Sequence, residues 1–151
     1  MTTKSLPKAE TFSLRTPYLS EGRTTDLVSE TEDLWVHVKV YAQGGENSLH
    51  CHEDEDHTFV VLEGQATYWD QDHKETVVNK NEGIMLPKGA FYYFQSSGDT
   101  NLVLLRIGAG KNPYNDRDAG RMGPDGKPLP AHSNENKHVT GVPVPGKFFG
   151  D

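Results

Sequence analysis

Three histidines crowd around an acidic run in the segment HCHEDEDH, residues 50–57. The chain holds 7 histidines in 151 residues, so His50, His52 and His57 form an unusual local concentration. Neutral imidazole nitrogen is a good ligand for divalent Fe, Ni, Zn, Cu, Mn or Co. The residue types therefore predict one bound transition metal, with solvated histidines beside an acidic surface turn as the alternative.

The spacing of the histidines has a geometric rationale in a β-strand. Side chains alternate faces, so His50 and His52 share one face and Cys51 points the other way, into packing. If EDED (53–56) turns the chain back as a hairpin, His57 opens the return strand opposite the pair, and three imidazoles can converge on one ion. A solvated hairpin is sufficient to explain the four acids, which are assigned no ligand role.

The elements that must position these histidines are predicted to be short strands. Runs rich in Val, Tyr, Phe and Leu alternate with Gly, Asn and Asp clusters between residues 34 and 108, which is the signature of strands and turns. The expected strands are 34–42, 48–52, 57–64, 65–70, 75–79, 83–87, 91–96 and 100–108. No helix-length interval separates them, so the pattern predicts an all-β antiparallel sandwich or barrel.

The two ends of the chain differ from this strand region. Residues 108–151 hold 8 of the 15 glycines and 6 of the 9 prolines, so neither a helix nor a strand ladder is expected there. Within them, VPVPGKFFG (142–150) carries apolar residues and is either an extended strap over the barrel or a partner subunit, or disordered. The predicted organisation is an N-terminal extension (1–33), a barrel (34–108) and a Gly/Pro-rich tail (109–151), with 12–19 the part of the extension that docks.

The stretch from Gly44 to Gly64 resembles the first signature of the cupin superfamily. That signature is a glycine, five residues, H-x-H, three or four residues, a glutamate, six residues and a glycine. Here the histidine pair is His50 and His52, and His57 stands where the glutamate is expected. Every spacing agrees and one ligand type differs.

The second cupin signature is matched less well. Pro87-Lys88-Gly89 resembles its P-x-G, but only three residues rather than five separate Gly83 from the proline. Tyr92 stands where the last histidine ligand is expected, and Ser96 stands in place of the asparagine.

The resemblance implies a double-stranded β-helix barrel, also called a jelly roll, with a ligand cavity at one mouth and a tendency to dimerise. It implies His50, His52 and His57 as metal ligands, with Tyr92 as the fourth. Three readings of Tyr92 stay open: a phenolate ligand, a protonated phenol that acts as general acid, or an aromatic core residue. His37, Lys39 and Tyr41 share a face of the first barrel strand and line either the cavity or a neighbouring subunit.

We therefore expect a metal-dependent enzyme acting on a small organic substrate, a dioxygenase before a lyase or an isomerase. One alternative is a metal-free sugar isomerase or epimerase with a histidine base and Tyr92 as acid. Another is a barrel that binds a small ligand without turnover.

Charge and cysteine content narrow the partners and the compartment. The net charge of −7 and the lack of a basic block argue against nucleic acid and membrane surfaces. Cys51 is the single cysteine, so no internal disulfide can form and a cytoplasmic location fits. We expect a homodimer, because a small barrel gains from covering its exposed sheet edges.

Overall fold

The computed structural model describes residues 5–111, 120–130, 136 and 138–151. These residues form β-strands and no α-helix. The strands are β1 (Thr16–Glu21), β2 (Arg23–Glu30), β3 (Leu34–Tyr41), β4 (Gly45–His52), β5 (Asp56–Glu63), β6 (Gln65–Trp69), β7 (Glu75–Asn79), β8 (Gly83–Leu86), β9 (Tyr92–Ser96), β10 (Leu102–Ala109), β11 (Arg121–Met122) and β12 (Val142–Phe149).

Two five-stranded antiparallel sheets build the barrel. One has the strand order β2-β3-β10-β5-β8 and the other β11-β4-β9-β6-β7. The predicted strands correspond to β3 through β10, and the all-β prediction is confirmed. Each sheet receives strands from distant parts of the chain, so β4 and β5, consecutive in sequence, lie in different sheets.

An aromatic cluster fills the interior between the two sheets. The rings of Tyr68 and Phe94 stack 4.9 Å apart, while Tyr41 and Phe59 meet Phe94 at 5.3 and 5.5 Å. All four side chains are at most 2% exposed. Aromatic pairs at such distances add to the free energy gained by burying their large apolar surface.

The outer face of the first sheet is covered by a separate two-stranded ribbon of β1 and β12. Leu19 of β1 packs with Val38, Val40 and Val103 of the barrel, and Phe149 of β12 joins this second cluster. Since side chains alternate along β3, the valines face the ribbon while the residues between them face the interior.

The ends of the chain are more regular than the sequence predicts. The expectation of irregular extensions is wrong for β1, β2, β11 and β12, whereas the expectation of an extended strap over the barrel is confirmed for Val142–Phe149. Residues 112–119, 131–135 and 137 of the predicted tail lie outside the described residues.

Two glycines are required by close approaches. Gly64 turns β5 into β6 with a φ of 83°, and a Cβ there would lie 2.7 Å from the carbonyl oxygen of Asn101. A Cβ on Gly108 would lie 2.0 Å from an indole carbon of Trp35. The missing side chain of Gly108 therefore makes the space in which the indole of Trp35 lies.

Candidate metal centre

Strand alternation on β4 directs His50 and His52 into the barrel. Their exposed fractions are 0% and 7%, and their ring centroids lie 5.2 Å apart, so the predicted common face is confirmed. Cys51 lies between them as a buried free thiol, which alternation directs to the opposite face.

His57 and Tyr92 approach this pair from neighbouring strands. The ring of His57, on β5, lies 4.2 Å from that of His52. Tyr92, on β9, is in register with His50, and their ring centroids are 4.4 Å apart. The four side chains singled out from the sequence thus form one contiguous buried group.

Glu55 joins the group from the turn between β4 and β5. The indole Nε1 of Trp35 donates a 2.6 Å hydrogen bond to its Oε2, and its Oε1 lies 3.9 Å from Nε2 of His57. Glu55 is 2% exposed, whereas Glu53 and Asp56 are exposed. The expectation of a solvated acidic hairpin is therefore wrong for Glu55, because Trp35 supplies a buried hydrogen-bond donor.

The ligand atoms of His52, Glu55 and His57 lie within 4.8 Å of one another, which makes them a group that could hold a metal ion. Both ring nitrogens of His52 and Nε2 of His57 are buried and have no hydrogen-bond partner in the described chain. Each unpaired buried polar atom costs about 1–3 kcal/mol. A neutral imidazole has one nitrogen lone pair, so a divalent cation would satisfy one nitrogen of His52 together with Nε2 of His57, and the residues present fit a metal.

His50 contacts the group, but its ring nitrogens have other neighbours. Its Nδ1 lies 2.7 Å from the carbonyl oxygen of Ser48 and 3.0 Å from Nη2 of Arg121. The shorter contact assigns the proton to Nδ1, which leaves the lone pair on Nε2. That Nε2 is buried without a hydrogen-bond partner and lies 3.8 Å from Oε2 of Glu46.

All three histidines are electrically neutral at physiological pH. Burial lowers the pKa of His50 to about 3, against an opposing effect of Glu46. Burial, with the positive charge of Arg106 next, lowers the pKa of His57 to about 4. Burial and the neighbouring His57 hold the pKa of His52 well below its usual range. Neutral imidazole is the form that binds a metal.

The Tyr92 side chain is a protonated phenol in this environment. Its hydroxyl is buried without a hydrogen-bond partner among the described residues, and burial raises its pKa, with a further contribution from Glu46. Tyr92 also packs at the end of the aromatic cluster, 5.9 Å from the ring of Phe59. Its phenol is therefore both a core contact and a hydrogen-bond donor available to a ligand.

Behind the histidines, the interior contains a buried ion pair. Nζ of Lys39 lies 3.0 Å from Oε1 of Glu46, and both side chains are at most 7% exposed. Burial lowers the pKa of Lys39 to about 8 although Glu46 opposes the shift. His37 and Tyr41 are buried on the same face of β3, so the cavity-lining alternative for these three residues is the one that the structure supports.

Four residues near the site were not identified from the sequence: Trp35, Glu46, Glu55 and Arg121. The alternation of β4 places Glu46 on the face of His50, which is a signal that the sequence does carry. Arg121 lies on β11 within the Gly/Pro-rich tail and pairs in register with His52, and no local pattern indicates it.

In the part of the chain that the structure describes, no helix combines the length and the apolar character needed to cross a membrane.

Comparison with known proteins supplies independent evidence on the family. Residues 37–108 match the family model described as "Cupin domain". The uncharacterized protein YdbB of Bacillus subtilis (strain 168) is 33% identical over 69 residues, which are 46% of this chain and 59% of that protein. The match therefore spans less than two thirds of the relative's length.

Solved structures share the fold at low sequence identity. A conserved protein with a double-stranded β-helix domain from Klebsiella pneumoniae superimposes with a TM-score of 0.59 at 23% identity, over 70% of this chain and 93% of that one. The cupin domain of Cnp3 from Schizosaccharomyces pombe gives a TM-score of 0.55 at 17% identity, over 66% and 72% of the two chains. The family match and the shared barrel confirm the resemblance read from the histidine spacing: residues 37–108 form a cupin domain.

Proposed function

We propose that this protein binds one divalent transition metal at His52, Glu55 and His57 and acts there on a small organic substrate. The observation that supports this most directly is the compact set of buried ligand atoms, in which the imidazole nitrogens of His52 and Nε2 of His57 have no hydrogen-bond partner among the described residues. Two neutral imidazoles and one carboxylate are a common ligand set for transition metals.

His50 and Tyr92 complete the proposed site. The ring of His50 lies beside that of His52, and its Nε2 has no hydrogen-bond partner among the described residues, so we assign His50 as a further candidate ligand. The protonated Tyr92 is assigned as hydrogen-bond donor or general acid to the substrate rather than as a phenolate ligand, since burial raises its pKa.

The reaction class that we propose is a dioxygenation, in which both atoms of O₂ enter the substrate. A bound metal would supply Lewis acidity and a template for oxygen-bearing groups. The chain's own residues orient the ligands: Trp35 holds the carboxylate of Glu55 by a hydrogen bond. Fixing ligands through such outer contacts tunes affinity and geometry.

The metal-free isomerase is the weaker alternative. It needs a histidine that takes up a proton near neutral pH. Burial instead lowers the pKa of His50 and His57 to about 3 and 4. These neutral, poorly basic rings favour metal binding over general-base catalysis.

Metal content tests the proposal. Protein purified without an affinity tag is analysed by inductively coupled plasma mass spectrometry, and we expect one equivalent of a transition metal per chain. His52→Ala should lose it, while His73→Asn should keep it, because His73 is exposed and its φ of 60° suits asparagine. Equal metal content in both variants would contradict the proposed site. Oxygen consumption with candidate substrates then tests the reaction class.

We also propose a homodimer. β2 is the outer strand of the first sheet, and Leu27 on it and Leu34 at the start of β3 are 48% and 45% exposed. An exposed sheet edge with apolar side chains favours pairing with a second copy. Multi-angle light scattering should give twice the chain mass, and a monomer mass would remove the proposal.

A further inference from the structure

Two arginines from opposite sheets contact the histidine group. Nη2 of Arg106, on β10, lies 3.4 Å from Nδ1 of His57, and Nη2 of Arg121, on β11, lies 3.0 Å from Nδ1 of His50. The residues are only 6% and 3% exposed. Two buried guanidinium groups, one from each sheet, therefore contact histidines of this group.

Neither arginine forms an ion pair with a carboxylate in the described part of the chain. Arg106 lies with its guanidinium carbon 4.8 Å from the ring of Trp35. Arg121 has one further polar contact, 3.5 Å to Oδ1 of Asn136. The Nε atoms of both arginines are buried without a hydrogen-bond partner among the described residues. Both groups thus retain donors that a ligand can use.

Buried cations outnumber buried carboxylates among the described residues around the site. Around the site, the described residues supply three buried cations, Lys39, Arg106 and Arg121, and two buried carboxylates, Glu46 and Glu55. Glu46 is paired with Lys39, and Glu55 accepts from a neutral indole. A bound divalent cation would increase the positive excess. Because unpaired buried charge is costly, a bound anion would lower the free energy of this group of residues.

We infer that Arg106 and Arg121 form an anion-binding subsite and that the ligand of this site is a small organic acid. Guanidinium presents paired donors that match the two oxygens of a carboxylate. A narrow cleft beside the site is lined by His52, Glu55, His57, Leu86, Pro87, Ala90 and Tyr92, so a ligand entering there meets His57, which Arg106 contacts. A small organic acid is thus the substrate class that we propose for the enzyme. Its turnover rests on the proposed function, whereas its binding does not.

Isothermal titration calorimetry of the full chain as purified tests this, with malonate as the anionic probe and malonamide as its neutral counterpart. We expect malonate to bind at least 10-fold more tightly than malonamide. Arg106→Gln and Arg121→Gln should each weaken malonate binding about 10-fold or more. Arg15→Gln is the matched control, because Arg15 pairs with Asp151 on the surface and its loss should leave binding unchanged.

The outcomes separate this inference from the metal proposal. Equal affinity for malonate and malonamide in the wild-type chain would overturn the inference, whether or not the variants fold. So would malonate binding that needs the metal but not the arginines, a result that leaves the metal proposal intact. Arginine-dependent malonate binding in protein that contains no metal by mass spectrometry would support the inference while contradicting the proposed function.

Discussion

The indole Nε1 of Trp35 donates a 2.6 Å hydrogen bond to Oε2 of Glu55, and both side chains are at most 2% exposed. Trp35 lies on β3, whereas Glu55 lies in the turn between β4 and β5. The bond therefore holds an acidic turn residue against the barrel interior, beside His57. Without it, the carboxylate would gain hydration by rotating outward, as its neighbours Glu53 and Asp56 do.

Trp35→Phe should weaken metal binding by about 10- to 100-fold, because it removes the donor that orients Glu55. It should also lower the free energy of unfolding by about 1.5–3 kcal/mol, the range for a hydrogen bond to a charged group. Zinc titration by calorimetry and urea unfolding measure the two effects. Trp69→Phe is the control, since Trp69 stacks on Tyr93 at 5.0 Å away from Glu55. Equal zinc affinity in the two variants would show that Trp35 does not position the carboxylate.

Lys39→Met should destabilise the fold by about 3–5 kcal/mol, because it leaves the buried carboxylate of Glu46 without its cation. The double variant Lys39→Met/Glu46→Gln should recover much of this loss, since no buried charge is then unpaired. Urea unfolding of the four proteins in the cycle gives the coupling energy. A coupling energy near zero would mean that Arg106 and Arg121 already compensate Glu46.

Metal-free protein should lose stability as the pH falls from about 6.5 to 4.5. Burial lowers the pKa of His50 to about 3 and that of His57 to about 4, so in this window the unfolded chain binds protons that the folded chain does not. Stability then decreases on acidification by about 1.4 kcal/mol per pH unit for each such histidine. Urea unfolding at pH 7 and pH 5 measures the slope. His50→Gln should reduce it, and an unchanged slope would assign the pH dependence to other groups.

Tyr92→Phe should keep the metal affinity within about 3-fold and leave stability unchanged or higher, because the hydroxyl is buried without a hydrogen-bond partner in the described chain. If Tyr92 is the acid, turnover should fall by about 10²- to 10⁴-fold. Calorimetry and a turnover assay separate the two roles. If the variant instead loses bound copper or iron, and lacks a phenolate absorption band that the wild-type protein shows, Tyr92 is a metal ligand.

Gly108→Ala should destabilise the barrel by about 1–3 kcal/mol, since its Cβ would lie 2.0 Å from an indole carbon of Trp35. Gly89→Ala is an informative comparison: nothing lies within 4 Å of a Cβ there, so any loss reflects only the φ of 80°. Thermal unfolding followed by tryptophan fluorescence compares the two. Because Trp35 also holds Glu55, Gly108→Ala should weaken zinc binding as well, which Gly89→Ala should not.

Local sequence accounts for the shared face of His50 and His52 but not for the acid beside them. The shared face of His50 and His52 follows from alternation. The predicted hairpin is wrong, because β4 and β5 lie in different sheets, and His57 approaches the pair across the barrel interior. Glu55 is one of four consecutive acids, and its inward orientation depends on Trp35, 20 residues away in sequence. A long-range partner of this kind leaves no periodic signal around the residue that it orients.

The sequence did not predict the β1–β12 ribbon, for a related reason. Pro143 and Pro145 lie within β12, and proline normally argues against a strand because it cannot donate a ladder hydrogen bond. A two-stranded ribbon has free edges on which prolines are tolerated. Its pairing of Thr16 with Phe149 joins segments at opposite ends of the sequence, which no local window can reveal.

The aromatic cluster ends at Tyr92, and from there the same interior is occupied by imidazoles and charged groups. Apolar packing, which favours thermal stability, and the polar side chains that bind a ligand therefore occupy the same enclosed volume. Variants selected for thermal stability alone should accumulate apolar replacements at Glu46, His50 and Arg106. These variants should be more stable but should no longer bind the ligand. A homologue with leucine or methionine at these positions should lack the activity proposed for this site.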